Sequence, residues 1–270
     1  IVRFYIEKSI HVFSNRIKRI IKPVKVTFLI AGAQKSGTSA LHFFLNQNPK
    51  ITMSAEKELN FFSSEKFWET KDKYYVYHNF FVPNLKTQHY GESSPLYMLK
   101  HEKVVPRIAK YNPKMKIILI LRNPIDRAYS QFNMHRERYN LDISFKKCLS
   151  LHFDGFKNDK NLTDYYENYI KDYLEYGNYV EQIKTFYSYF KKEQILILLN
   201  EDLKNNHSKT MKEIAEFLKV PYTKIGKKRI HQYHYSKPLG KKERKLLQNY
   251  YEKKILNLER LIKRDLSAWL

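Results

Sequence analysis

The sequence predicts a single α/β domain built on a mostly parallel, doubly wound sheet. Three observations predict it. Short runs of large apolar residues alternate with segments of helical periodicity. The strongest apolar run, 116–121, ends directly at Arg122. A loop with glycines at both ends, Gly32 and Gly37, joins a predicted strand to a predicted helix, as phosphate-binding loops do.

The predicted elements follow from composition and spacing. Residues 24–31 are rich in β-branched and large apolar residues, which is typical of a buried strand, and 38–46 carry apolar residues at helical spacing. The other predicted elements are, in chain order, a short strand at 51–54, a helix and loop within 74–82, the strand at 116–121, a helix from Pro124, a helix and loop within 134–160, a helix at 165–189 broken at Gly177 and Asn178, a strand at 194–199 and a helix at 208–218.

Charge narrows the classes of partner. The 270-residue chain has 50 Lys and Arg against 27 Asp and Glu, a net charge of +23. Such an excess favours nucleic acid, anionic membrane, acidic polysaccharide or a polyphosphorylated cofactor, unless it reflects compositional drift. The sequence has no zinc-finger spacing and no glycine–aromatic RNA signature, so nucleic acid is not the expected partner.

Residues 1–23 form a basic amphipathic segment ahead of the domain at 24–270. We expect this segment to be a surface helix, with a membrane-surface role as the alternative. No window of 18 consecutive apolar residues occurs, so no membrane span is predicted. The single cysteine, Cys148, cannot form an intrachain disulfide and is predicted to be a small core residue.

The loop after the first strand has the composition of an anion site. Unpaired N–H groups and the helix dipole favour an anion at the start of a helix. The usual nucleotide pattern is G-x-x-x-x-G-K-[ST], but here Thr38 stands where the lysine belongs and Lys35 lies inside the loop. This argues against an ordinary NTPase. The candidate ligands are Lys35, Ser36, Gly37, Thr38 and Ser39, and the alternative is a plain tight turn.

Three other segments are candidates. Glu56 and Glu58 precede Phe61 and Phe62; burial would make a glutamate there a better base, although a solvated loop is favoured by residue type alone. Arg122 ends a strand, where ligands bind in open α/β sheets, with a surface salt bridge as the alternative. A basic run follows at 227–229, with a solvated surface segment as the alternative.

From about residue 26 to the C-terminus the chain resembles sulfotransferases that use 3′-phosphoadenosine 5′-phosphosulfate (PAPS), closest to the heparan sulfate 3-O- and N-sulfotransferases. The stretch 35–39 resembles their 5′-phosphosulfate loop, and 122–130 resembles their 3′-phosphate motif, R-(D/N)-P-x-x-R-x-x-S. Segment 58–62 is similar to their E-x-H-F-F, with Asn60 in place of histidine. Segment 92–97 is similar to their E-K-T-P-S-Y, with Ser93 in place of lysine.

The resemblance implies a P-loop-like fold and sulfuryl transfer from PAPS, with 3′-phosphoadenosine 5′-phosphate as product and no metal. It implies Glu58 as the base, with Glu56 as the competitor, and Lys35 as the donor to the bridging oxygen. The implied cofactor ligands are Lys35, Ser36, Gly37, Thr38, Ser39, Arg122, Ser130, Lys227, Lys228 and Arg229.

The acceptor implied by the resemblance is a hydroxyl or amine of an anionic or neutral glycan. An ATP- or GTP-dependent kinase and a non-catalytic polyanion-binding module are the alternatives. We expect a bacterial cytoplasmic enzyme, with the lumenal domain of an anchored protein as the alternative, and the oligomeric state stays open.

Overall fold

A computed structural model describes residues 24–154, 170–226 and 238–270. The predicted amphipathic segment at 1–23 lies outside the described residues. So does the basic run Lys227, Lys228 and Arg229.

The five strands of the described residues form one parallel sheet in the order β2-β3-β1-β4-β5. The central strand β1 therefore has β3 on one side and β4 on the other, which places the topological switch point at its carboxyl end. The strands are β1 (Val26–Gly32), β2 (Ile51–Met53), β3 (His89–Ser93), β4 (Lys116–Leu121) and β5 (Ile195–Leu199).

Helices cover both faces of the sheet, which explains the near-continuous apolar runs. In β4, Ile118 and Ile120 pack into one core layer, whereas Ile117, Leu119 and Leu121 pack into the other. The helices are α1 (Thr38–Leu45), α2 (Glu65–Glu69), α3 (Lys73–His78), α4 (Leu96–Leu99), α5 (His101–Tyr111), α6 (Pro124–Arg138), α7 (Phe145–Asp154), α8 (Lys171–Glu175), α9 (Tyr179–Tyr189), α10 (Asn200–Asn205), α11 (His207–Leu218) and α12 (Lys241–Ile262).

Most of the predicted elements are confirmed, and so is the doubly wound parallel sheet. The strand at 116–121 has the predicted bounds, and α8 and α9 are separated at Gly177 and Asn178. The helix α6 starts at Pro124, and the side chain of Asn123 accepts a hydrogen bond from the backbone N–H of Ile125. Cys148 is fully buried in α7.

The sequence analysis missed β3 and the helices α2, α4, α5, α10 and α12. The strand β3 has the polar sequence His-Tyr-Gly-Glu-Ser, which carries no apolar pattern. A side chain at Gly91 would lie 2.2 Å from the ring of Phe28 in the neighbouring strand. The pairing of these two strands therefore determines this element, and local preference does not.

Candidate active site

The site lies at the carboxyl ends of β1, β4 and β5. The loop 33–37 follows β1, Arg122 follows β4, and Asn200 follows β5. Ligands of open α/β sheets bind at this edge, next to the switch point. The sheet therefore brings together segments that are far apart in the sequence.

The loop after β1 bends sharply before α1. Lys35 and Gly37 both have positive φ, 65° and 103°. A side chain at Gly37 would also meet the Asn200 side chain, whose Nδ2 would lie 2.5 Å from the new Cβ. Glycine is therefore required at 37 for both backbone conformation and space.

Hydrogen bonds from the neighbouring strands hold this loop. The backbone N–H of Ala33 donates to the carbonyl of Ile120 over 2.8 Å. Arg122 Nη1 donates to the carbonyl of Lys35 over 3.2 Å, and Asn200 Nδ2 donates to the carbonyl of Ser36 over 2.7 Å. The loop is thus preorganised by the ends of β4 and β5.

The start of α1 is suited to an anion. Gly37 is the N-cap residue, no side chain caps the helix, and its first turn contains no acidic residue. The hydroxyl of Thr38 belongs to a buried residue and Ser39 is half-buried. The N–H groups of this first turn and the helix dipole point toward the loop 33–37. A phosphate or sulfate group fits this set of donors.

Lys35 is the electrostatic centre of the site. Burial lowers the pKa of its ammonium group to about 8, and the positive charge of Arg122 acts in the same direction. The carboxylate of Glu58 opposes this effect and raises the pKa of Lys35. The charges of Arg122 and Glu58 are thus both close enough to act on Lys35.

Glu58 lies in the loop between β2 and α2. Its side chain is half exposed, and its carboxylate Oε1 contacts the ammonium of Lys57. Phe61 and Phe62 are buried, and they fix the far end of this loop in the core. Glu58, and not Glu56, is among the charges that act on Lys35.

A family model described as "Sulfotransferase domain" matches residues 25–260. The chain belongs to this family. The match covers all five strands and both the loop 33–37 and Arg122. It identifies residues 25–260 as a sulfotransferase domain and favours sulfuryl transfer over the kinase and the non-catalytic binding module.

Relatives agree with this assignment. The chain is 32% identical to human "Bifunctional heparan sulfate N-deacetylase/N-sulfotransferase 2" over 209 residues, 72% of this chain and 22% of the relative. It is 27% identical to the mouse enzyme numbered 4 in that series over 282 residues, 90% of this chain and 31% of the relative. The chain thus spans about a fifth to a third of the length of these relatives. The predicted resemblance to the heparan sulfate branch is confirmed.

A solved structure extends the likeness to nearly the whole chain. A sulfotransferase from Alicyclobacillus acidocaldarius superposes with a TM-score of 0.76 at 26% identity, covering 91% of this chain and 99% of that one. The P-loop-like sulfotransferase fold predicted from the sequence is therefore confirmed.

Ser130 is buried in α6, the helix that starts two residues after Arg122. Arg127 of the same helix is also fully buried and donates to Gln131 Oε1 over 2.7 Å and to the carbonyl of Tyr173. Arg127 therefore has a packing role between α6 and α8. The phosphate-binding role of Ser130 stays a prediction.

The structure adds three residues that the sequence analysis missed. Asn200 holds the loop carbonyl of Ser36, and Lys57 contacts Glu58. Burial and the charge of Arg122 lower the pKa of Lys204, which places a second cation near the end of β4. The position of Asn200 directly after an apolar strand is the signal that could have found it.

Glu92 and Ser93, in the segment where the family has E-K-T-P-S-Y, have different surroundings. Glu92 is fully buried, and three hydroxyl groups donate to its carboxylate, so it is a structural carboxylate. Ser93 Oγ is buried without a hydrogen-bond partner among the described residues. Ser93 is the last residue of β3 and lies next to Ile30 of β1.

Within the described ranges, no group of three or more His, Cys, Asp or Glu side chains could hold a metal ion. None of the helices described is long and apolar enough to cross a membrane.

Proposed function

We propose that this sulfotransferase moves a sulfuryl group from PAPS to a hydroxyl or amine of a glycan. Backbone N–H groups at 36–39, with the hydroxyls of Thr38 and Ser39, bind the 5′-phosphate. Arg122 and Ser130 bind the 3′-phosphate, and Lys227, Lys228 and Arg229 are further proposed cofactor ligands. No metal is required, because Lys35 and the helix dipole supply positive charge.

The observation that carries the proposal is the convergence of Lys35, Arg122 and Glu58 at the switch point of the sheet. The pKa of Lys35 responds to both other charges. The site thus has a cation for the donor, a guanidinium for a phosphate, and a carboxylate for the acceptor. The uncapped start of α1 and the tight loop at Gly37 fit a phosphosulfate.

The chemistry assigns one task to each group. PAPS supplies the sulfuryl group, and transfer passes through a loose, in-line transition state, as phosphoryl transfer does. Glu58 accepts the proton of the attacking hydroxyl or amine. Lys35 stabilises the negative charge that develops on the oxygen between sulfur and the 5′-phosphate. The N–H groups of α1 hold that phosphate in place, so reaction follows from positioning and electrostatics.

The acceptor proposal rests on charge and on the relatives. The names of the relatives place their activity on heparan sulfate, an acidic glycan. The net charge of +23 suits an anionic acceptor, and a neutral glycan is the alternative.

A bacterial cytoplasmic location stays a prediction, with a lumenal domain as the alternative.

Thermal unfolding with nucleotides tests the cofactor. We expect stabilisation by 3′-phosphoadenosine 5′-phosphate at about 1 mM, and a ligand at 100 times its Kd adds about 2.7 kcal/mol. Adenosine 5′-phosphate, which lacks only the 3′-phosphate, is the matched control and should give a much smaller shift. A shift with ATP alone would point to a kinase. No shift with any of the three would contradict the cofactor site.

Acceptors are then compared with labelled PAPS. N-desulfated heparin offers free amines, and its N-acetylated form offers hydroxyls only. Transfer to the first alone identifies an amine acceptor, and equal transfer to both identifies a hydroxyl. Transfer to neither, in a protein that binds the bisphosphate, would contradict the acidic glycan.

A further inference from the structure

A buried carboxylate lies beneath the loop that carries Glu58. Glu92 is fully buried in β3, and its Oε1 accepts hydrogen bonds from the hydroxyls of Tyr77 and Tyr97 over 2.7 and 2.6 Å. Its Oε2 accepts from Ser94 Oγ over 2.7 Å. We call Glu92, Tyr77, Tyr97 and Ser94 the hydroxyl cluster. The proposed reaction assigns no task to it.

The hydroxyl cluster and the end of β3 hold the loop at three alternate backbone N–H groups. The N–H of Glu58 donates to the carbonyl of Ser93 over 2.9 Å. The N–H of Asn60 donates to Ser94 Oγ over 3.0 Å. The N–H of Phe62 donates to the hydroxyl of Tyr97 over 3.3 Å. Two of the three acceptors thus belong to side chains that are themselves bonded to Glu92.

The loop needs such support because its backbone is unfavourable. Glu58 and Asn60 both have left-handed conformations, with φ of 61° and 53°. Residues with a side chain seldom adopt this region. Such conformations persist where the surrounding structure determines them, and they cluster at functional sites. In this loop, the hydrogen bonds at residues 58, 60 and 62 stabilise these conformations.

The direction of the hydrogen bonds depends on Glu92. A hydroxyl has one proton and two lone pairs. Burial raises the pKa of Glu92, the hydrogen bonds from Tyr97, Ser94 and Tyr77 act in the opposite direction, and in its ionised form the carboxylate only accepts. When Ser94 and Tyr97 give their protons to Glu92, their lone pairs are available to the N–H groups of Asn60 and Phe62. An amide at position 92 would donate as well as accept, and at least one hydroxyl would have to turn its proton away from position 92.

We propose that Glu92 is a positioning residue, which through Ser94 and Tyr97 holds the 58–62 loop, and with it Glu58, in the conformation described above. The inference rests on the proposed role of Glu58 as the base. Its structural half, the orientation of the loop, is independent of that role.

The chain offers a matched control. Tyr77 and Tyr97 donate to the same carboxylate oxygen over similar distances, and both are fully buried. Only the Tyr97 hydroxyl also accepts a hydrogen bond from the loop. Tyr77→Phe and Tyr97→Phe therefore each remove one hydrogen bond to Glu92 Oε1. Only Tyr97→Phe also removes the acceptor for the N–H of Phe62.

Amide hydrogen exchange measured residue by residue tests the structural half. We expect Tyr97→Phe to speed exchange at Phe62, and Ser94→Ala to speed it at Asn60, each about fivefold or more, as the loss of one hydrogen bond predicts. Glu92→Gln should speed both, and Tyr77→Phe neither. Equal effects of the two tyrosine variants, or no effect of Tyr97→Phe, would overturn the inference. The tyrosine pair carries the test if Glu92→Gln fails to fold.

Kinetics tests the catalytic half. Tyr97→Phe should lower kcat about fivefold or more while the Kd for 3′-phosphoadenosine 5′-phosphate stays within about twofold of wild type, and Tyr77→Phe should leave both unchanged. Altered exchange with an unchanged kcat would overturn the catalytic half. If wild type shows no transfer but the exchange pattern is as expected, the proposed function fails and the loop-positioning inference stands.

Discussion

The guanidinium of Arg122 donates a hydrogen bond to the backbone carbonyl of Lys35, 3.2 Å away. It therefore does two things at once: it fixes the loop after β1, and it lowers the pKa of the lysine ammonium in that loop. The end of β4 thus controls both the position and the charge of the residue at the centre of the site.

Two substitutions test whether the charge of Arg122 binds the 3′-phosphate. Arg122→Gln keeps a donor for the carbonyl of Lys35 but removes the charge, and Arg122→Ala removes both. Both should weaken binding of 3′-phosphoadenosine 5′-phosphate by about tenfold or more, since a charge-assisted hydrogen bond is lost. Binding of adenosine 5′-phosphate should change less. Equal losses for the two nucleotides, measured by calorimetry, would remove Arg122 from the 3′-phosphate site.

The pH dependence of transfer should report Lys35. Its pKa is lowered to about 8, so the ammonium loses its proton as pH rises through that value. We expect kcat/KM to fall on the alkaline side near pH 8, because the free enzyme then lacks the charge that stabilises the leaving oxygen. Lys35→Arg should remove this alkaline limb.

Lys35→Ala should lower turnover about 10²-fold or more; a near-normal rate would exclude Lys35 from the mechanism.

Burial of Lys35 should also lower stability. The folded pKa of about 8 lies below the ordinary value of 10.5, so between these values the folded state binds fewer protons than the unfolded state. Stability from this group therefore rises with pH across that window, and the full penalty applies below pH 8. Lys35→Met should stabilise the protein at pH 7 by about 1–3 kcal/mol. Denaturant unfolding at pH 7 and pH 10 should show the gain shrinking; a gain that is equal at both values would contradict this account.

Gly37→Ala should damage the loop in two ways. The left-handed φ of 103° disfavours a side chain, and the new methyl would displace Asn200 from the carbonyl of Ser36. We expect a loss of stability of about 1–3 kcal/mol and weaker bisphosphate binding. Gly226→Ala, which adds a methyl with nothing within 4 Å, is the control for unfolding. An equal change in Tm for the two variants would show that the loop tolerates the side chain.

The choice between Glu58 and Glu56 is open to a direct comparison. Glu58→Gln should abolish transfer and leave bisphosphate binding intact, because the base acts on the acceptor and not on the cofactor. Glu56→Gln, two residues away in the same loop, should be near normal in both. The opposite pattern in single-turnover assays would assign the base to Glu56.

The local sequence pattern was sufficient to predict a strand that is buried on both faces of the sheet. The run 116–121 could only be a buried strand, and its continuation into Arg122 and Pro124 identified a ligand at a strand end followed by a helix. β3 could not be predicted because its residues are polar and its place depends on Gly91 packing against Phe28. The same holds for the site. Lys35 and Arg122 were predicted because they belong to motifs, whereas Asn200 and Lys204 were recognised only from the structure.

The sequence by itself determined the fold class, the anion-binding loop and the family, because these depend on residue type and spacing within short segments. The tertiary structure decided which charges meet. The charges of Glu58 and Arg122 act on Lys35 because parallel strands bring their carboxyl ends to one edge. It also decided that Glu92 is internal, because the hydroxyl of Tyr77 and those of the nearby Ser94 and Tyr97 surround a carboxylate that the sequence presents as an ordinary polar residue.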